Sequence, residues 1–427
     1  MSGVRTLLQS LRLMLTPPGK LPGRQMRVVL LVGIAYLVNQ YDLGIFSLAL
    51  PQIQAGLGID EASLGGITGL IRIGVIPAFF LAMLADRMGR RRLLMITIAG
   101  VALATVATAF AQTPEQFVAC QIASRAFMGA EEMLSFVVVA EELDASARGW
   151  GIGALAALGS LGHGWAALVF GFVGMLPFGW RALYVLGAIP LFALIYLRRN
   201  LEETERFQAF AASREPGASL AVFGPLKALA LTYPGRLAAV AGVTIPYSFA
   251  VAASLLYISK YLQTEHAYSP GQVGLLYIVV GGFAMLGNLM AGRLSDRFGR
   301  RRVLAGAILA NSALFAVFYT GSGWVLPVGW LAAIFTFFAV DVTLSAFAAE
   351  LFPTSYRSTA SAARTLFWAG AAGAGLAVHG LLVPLAGVAS LATAWMLAAA
   401  PVAALVVLLF LPETASRSLE ETAPERA

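Results

Sequence analysis

The sequence predicts an all-α membrane protein: twelve transmembrane helices in two six-helix bundles, related by a pseudo-twofold axis along the membrane normal. Three observations predict it. Hydrophobic residues fill 59% of the 427 positions and charged residues only 12%, too little charge for the surface of a soluble chain this long. The charges cluster, which leaves about a dozen apolar stretches of roughly 18–25 residues, each able to cross a bilayer as a helix. Finally, Leu84-Ala85-Asp86-Arg87-Met88-Gly89-Arg90-Arg91-Arg92 returns as Leu294-Ser295-Asp296-Arg297-Phe298-Gly299-Arg300-Arg301-Arg302, each between two apolar stretches.

The first 27 residues are basic, contain Pro17 and Pro18, and lack a cleavable-signal pattern; they read as a cytoplasmic tail. The first bundle occupies 28–199, with spans near 28–50, 63–84, 93–111, 116–139, 149–174 and 181–198. A linker follows over 200–237. The second bundle occupies 238–411, with spans near 238–262, 271–292, 302–320, 325–349, 359–382 and 388–411, and 412–427 forms the C-terminal tail.

Basic residues sort these loops by side. Arg5, Arg12, Lys20, Arg24 and Arg27 precede span one; Arg87 and Arg90–Arg92 follow span two. Arg198, Arg199, Arg206, Arg214, Lys227 and Arg236 sit at the linker, and Arg297 and Arg300–Arg302 follow span eight. The opposite loops hold mainly Arg181 and Lys260. The positive-inside rule then places both termini and the linker in the cytoplasm. It also accounts for the net charge of +7 without a nucleic-acid partner. Cys120 is the only cysteine, so no intramolecular disulfide forms and no cysteine metal site is suggested. No cofactor motif, Ser/His/Asp grouping or phosphate loop occurs, so an enzyme is not expected.

The repeat extends past the loops. Asp86 and Asp296 are offset by 210, the pairs Glu141/Arg148 and Glu350/Arg357 by 209, and Glu203-Thr204 and Glu413-Thr414 by 210. Shared spacing at three features marks an internal duplication. Six spans per copy insert both copies in one orientation. In the loops, Gly89 and Gly299 suit a tight turn. Asp86 and Asp296 can accept from a neighbouring helix N-terminus or pair with an arginine. Asp86, Arg90, Asp296, Arg300, Glu141, Arg148, Glu350 and Arg357 are therefore the candidate cytoplasmic gate; the alternative is that the arginines only enforce topology.

Charges inside spans are costly unless they face a cavity or a partner. They are Asp42, Arg72, Arg125, Glu131, Glu132, His163, Asp341, Arg364 and His379. Glu131 lies ten residues before Glu141, about 15 Å deep at the helical rise. Asp341 falls 210 residues after Glu131, so each half places an acid at one repeat position, where a site is expected. A carboxylate at that depth can exchange protons near neutral pH unless an arginine offsets the lost hydration. Asp341 and Glu131 have no obvious partner in sequence and are read as proton-coupling. Asp42 and Glu132 have Arg72 and Arg125 as possible partners, so a structural ion pair and a coupling role stand side by side. Arg364 suits a substrate carboxylate, which guanidinium binds bidentately; a gate pair is the alternative. Arg72, Arg125, His163, Tyr41 and Trp368 complete the candidate substrate-binding set, while His379 reads as packing.

These residues resemble the major facilitator superfamily over essentially the whole chain. The D-R-x-G-R-R-R loops match its best-known motif, fully from Gly292 in the second copy and with Ala82 for the leading glycine in the first. Tyr41-Asp42-Leu43, Gly129-Ala130-Glu131, Glu350-Leu351-Phe352-Pro353-Thr354 and Pro412-Glu413-Thr414 are similar to the sugar-porter-related metabolite:proton, aromatic-acid:proton and synaptic-vesicle-like branch. The resemblance implies spans one, four, seven and ten around a central cavity, with three, six, nine and twelve toward lipid. It also implies loops that latch the cytoplasmic side in one state. Synaptic-vesicle-like relatives carry an arginine one turn after Arg364, where Trp368 stands here; Gln121 occupies another arginine position, with Arg125 a turn later. The expected protein is a monomeric inner-membrane transporter whose partners are protons, a small-molecule substrate and the bilayer. Proton-coupled uptake of a small organic acid leads; efflux of organic cations by exchange, uncoupled diffusion and a transporter-like sensor stay open.

Overall fold

A computed structural model describes residues 21–199, 203, 208, 224–353, 356–414 and 422. Among them regular structure is helical, with no strand. Ten spans are long and apolar enough to cross a membrane. Two further helices, Pro114–Glu142 and Pro270–Phe298, are each 29 residues long and complete the twelve expected rods. The first of them carries the acids and the arginine of span four, and that charge lowers its hydropathy.

The chain forms two compact units. The first comprises residues 1–48 and 74–219. Its helices are α1 (Gly23–Leu48), then, after α2 and α3 of the other unit, α4 (Val75–Met83), α5 (Ala85–Met88), α6 (Arg90–Ala109), α7 (Pro114–Glu142), α8 (Ala145–Phe170) and α9 (Trp180–Arg198). Helix α1 packs along α8, α6 along α7 and α9, and α4 along α7. One apolar cluster joins Val29, Val32, Leu93, Leu134, Val138 and Leu155. A second joins Leu31, Ala35, Ile98, Val101, Leu191 and Leu194. Helix α7 starts at Thr113, whose hydroxyl accepts from the Gln116 amide at 3.3 Å, with Pro114 at the first helical position where no amide donor is needed.

The second unit comprises residues 49–73 and 220–427. It contains α2 (Leu50–Leu57), α3 (Glu61–Arg72), α10 (Gly224–Thr232), α11 (Pro234–Leu256), α12 (Ile258–Thr264), α13 (Pro270–Phe298), α14 (Arg300–Thr320), α15 (Val325–Glu350), α16 (Arg357–Ala386), α17 (Ala389–Met396) and α18 (Ala400–Phe410). Helix α16 packs between α11 and α3, and α15 between α13 and α14. Ser269 and Gln272 form a reciprocal capping box at the start of α13. At α3, Asp60 accepts from the Ser63 amide at 2.6 Å; hydrogen bonding from Ser63, its side chain first and then its amide, holds the exposed Asp60 carboxyl below its ordinary range. Span two of the sequence is thus two helices, α3 and α4, parted at Ile73-Gly74. The break coincides with the boundary between the units: α2 and α3 belong to the first six spans by sequence but pack with the second unit.

Candidate functional site

The repeated loops build one device twice. Gly89 has φ 93° and Gly299 φ 91°, backbone that a side chain strains. Each lets its chain reverse straight into a helix beginning with arginine. In the first unit, Arg90 Nη2 pairs with Glu141 at 3.0 Å, and Glu203 Oε1 accepts from the Arg90 amide at 3.0 Å and the Arg91 amide at 3.2 Å. In the second, Arg300 Nη2 pairs with Glu350 at 2.7 Å, and Glu413 accepts from the Arg300 amide at 2.8 Å and the Arg301 amide at 3.3 Å. Each helix N-terminus, with its unpaired amides and positive dipole end, is thus neutralised by a carboxylate 113 residues downstream.

Of the other expected gate residues, Asp296, near the end of α13, pairs with Arg300 at the start of α14 at 3.3 Å across the Gly299 turn and is exposed. Arg148 lies half-buried with Nε unpartnered. Arg357 opens α16. The Asp86 side chain lies outside the described residues.

Gly299→Ala is expected to destabilise by about 1–3 kcal/mol, the cost of one strained backbone conformation. The added Cβ would also meet the Glu413 carboxylate. Thermal unfolding in detergent checks this; an unshifted midpoint contradicts it.

Deeper in the second unit, Asp341 of α15 and Arg364 of α16 form an ion pair, Oδ1 to Nη1 at 3.4 Å, with side chains 46% and 19% exposed. One helical turn away on each helix stand Phe337 and Trp368, ring centroids 6.2 Å apart. Tyr247 lies 6.0 Å from Trp368, its hydroxyl donating to Asn311 at 2.9 Å. A reachable guanidinium, steadied by a carboxylate and flanked by aromatic faces, can hold a carboxylate on a flat apolar body. The expectation that Asp341 has no partner is corrected here: Arg364, 23 residues on, meets it from the adjacent helix.

The other repeat acid has a different setting. Glu131 is fully buried. Arg198, the last residue of α9, pairs with it at 2.5 Å, Thr97 donates to its other oxygen, and Arg198 also donates to the Leu31 carbonyl at 3.1 Å. The expectation of an unpartnered Glu131 is therefore also corrected. Its charge is matched by an arginine that reaches back into the unit from a helix end, at the edge of span six.

A third polar cluster lies in the first unit. Asp42 accepts from Ser124 at 3.4 Å, and its charge is opposed by Arg125, which lies over the Phe46 ring at 5.1 Å. Asp42 Oδ1, both polar atoms of Asn39, Gln121 Oε1 and the Tyr184 hydroxyl are buried without a protein partner. Of the two arginines expected for Asp42 and Glu132, Arg125 is the one whose charge acts on Asp42. Glu132 instead accepts from the Tyr36 hydroxyl at 3.2 Å. Arg72 ends α3, with its Cβ near Gly373. His163 is exposed and its Nδ1 lies 3.4 Å from the Gly159 carbonyl. Tyr41 is buried, packs on Gly187 and donates to the Leu183 carbonyl at 2.9 Å, so it ties α1 to α9.

The Major Facilitator Superfamily model matches residues 32–233 and 238–426. The chain belongs to the major facilitator superfamily. Like other major facilitator proteins it is a multi-pass membrane transporter, not an enzyme. A probable 4-methylmuconolactone transporter of Cupriavidus pinatubonensis is 28% identical over 76% of this chain and 76% of its own. A gallate transporter of Pseudomonas putida is 25% identical over 78% and 80%. A bacterial homolog of the human lysosomal transporter Spinster, solved inward-facing and unoccupied, superposes with TM-score 0.73 at 13% identity, covering 92% of this chain and 98% of that one; at that identity it shows the fold alone.

Within this major facilitator chain, sequence reasoning assigned no role to Glu203, Glu413, Arg198 or Thr97. The first two carried a signal, since both recur in the repeat at one distance from the loop arginines. Arg198 carried none beyond its place at the edge of span six.

Proposed function

We propose that the protein is a proton-coupled symporter that takes up small organic acids, aromatic or unsaturated carboxylates foremost, by alternating access. One observation carries this reading: the Arg364 guanidinium, held by Asp341 beside Trp368 and Phe337. Arg364 binds the carboxylate and the two rings take the flat body. Asp341, the more exposed partner, exchanges the proton; protonating it frees Arg364 for the substrate, which couples the two ligands. Asp42, buried opposite Arg125, is the second protonation site. Glu131 is a structural anchor. Similarity to the gallate transporter and the probable 4-methylmuconolactone transporter supports the substrate class. The arginine-rich loops support cytoplasmic termini, and the bacterial relatives support an inner-membrane location. The protein acts as a monomer.

A second reading, exchange of organic cations for protons, is favoured by the 46% exposure of the Asp341 side chain. Asp341→Asn separates coupling from binding. In proteoliposomes, acid accumulation driven by a pH gradient is expected to vanish while exchange of internal for external substrate persists. Unchanged accumulation would overturn the coupling role.

A further inference from the structure

Lys260 runs against the charge sorting of this chain, being one of two main basic residues in loops otherwise almost free of them. It is also buried, at 5% exposure. Its surroundings supply a reason. Its Nζ pairs with Glu61 and donates to Gln54 Oε1 at 2.6 Å, and Gln54 Nε2 donates to Glu61 at 2.9 Å. The triangle joins α2 and α3, from the first six spans, to α12, from the second six. Two further bonds tie the same elements: Gln52 Nε2 donates to Gln263 at 2.6 Å, and the hydroxyls of Thr68 and Tyr257 lie 2.9 Å apart.

We propose that Glu61, Lys260 and Gln54 form an ionic latch that closes the end of the transporter opposite the D-R-x-G-R-R-R loops, and that it must break for that end to open. In the orientation proposed above this is the extracytoplasmic end. The inference rests on the alternating-access reading proposed above and not on the substrate assignment.

Three observations support a contact built to part. The bonds concentrate at the helix ends, around an open cavity of about 690 Å³ lined by Gln54, Glu61, Lys260 and Glu265, so water can replace them on opening. The Glu61 side chain is 42% exposed while Lys260 is 7% exposed, which places the lysine beneath and the carboxylate at the water. Further in, α3 meets α16 through glycines: a Cβ on Gly65 would strike the backbone of Gly380 and Leu376, and one on Gly69 the Gly373 carbonyl. This close crossing carries no large side chains between the helices, and the polar cluster ties its end.

Labelling of a buried cysteine tests the latch without any substrate. Ser254 is fully buried on α11, one turn inward of Tyr257, with its hydroxyl unpartnered. In a Cys120→Ser background, Ser254→Cys reacts with a membrane-impermeant thiol reagent added to the Lys260 side of reconstituted full-length protein. Glu61→Gln and Lys260→Gln are each expected to raise the labelling rate about tenfold, the weight of one charge-assisted hydrogen bond. The exchanged pair Glu61→Lys with Lys260→Glu is expected to return it to within about twofold of the parent, because the attraction depends on opposite charge and not on which helix bears it. Unchanged labelling in both single variants overturns the latch. So does fast labelling that the exchanged pair fails to reverse, which would mark lost packing instead.

Discussion

Replacing Arg198 with leucine is expected to destabilise the protein by about 3–5 kcal/mol, the cost of leaving one member of a buried ion pair uncompensated. Both side chains of the pair are essentially inaccessible, and Leu31 and Leu194 of the surrounding core offer Glu131 no polar substitute. Only the Thr97 hydroxyl would remain. The double variant Arg198→Leu with Glu131→Leu is expected to be considerably more stable than the single one, because no charge is then stranded; replacing a buried pair with apolar residues is often close to neutral. Unfolding followed by tryptophan fluorescence in detergent reads both. An Arg198→Leu variant as stable as the parent would contradict the anchor, and a double variant worse than the single would place the cost in packing rather than charge.

Arg364→Ala is expected to raise the KM for an organic acid by roughly 30- to 150-fold, the loss of about 2–3 kcal/mol of charge-assisted hydrogen bonding. Arg364→Lys should recover only part of this, since an ammonium cannot present the paired donors of a guanidinium. The contrast with Arg198 is specific: Arg364 is partly exposed and its acid partner more so, so its removal should affect binding far more than stability. Initial uptake rates across substrate concentrations, beside the unfolding midpoint of the same variant, separate the two. A large fall in stability with little change in KM would reverse the roles assigned to the two arginines.

The fold was largely legible because its causes are local. Apolar runs of span length, arginine-rich loops on one side and an offset of 210 residues all lie in the sequence. The turns at Gly89 and Gly299 were legible for the same reason, since only backbone tolerance for positive φ is needed there. Pairing across helices was less legible. Glu131 and Asp341 occupy equivalent repeat positions, yet one is sealed by Arg198 from a helix end and the other stands reachable beside Arg364. The repeat conveys where an acid sits along its helix, not which neighbouring helix supplies its cation. The carboxylates of Glu203 and Glu413 were visible as a repeat, but their role needed the two helix N-termini brought within hydrogen-bonding distance. Tyr41 shows another limit: an aromatic beside a buried acid suggests a pocket, and the sequence carried no sign that its hydroxyl donates to the Leu183 carbonyl.

In the proposed symport, substrate carboxylate and proton travel together. The most direct measurement uses purified protein in liposomes enclosing a pH-sensitive dye, challenged with pools of aromatic and aliphatic carboxylates and then with pools of organic cations. Acidification of the lumen by a carboxylate pool, absent with Asp341→Asn, is the predicted result. Alkalinisation driven by a cation pool under an acidic-inside gradient, with no response to carboxylates, would contradict it and make the protein an exchanger.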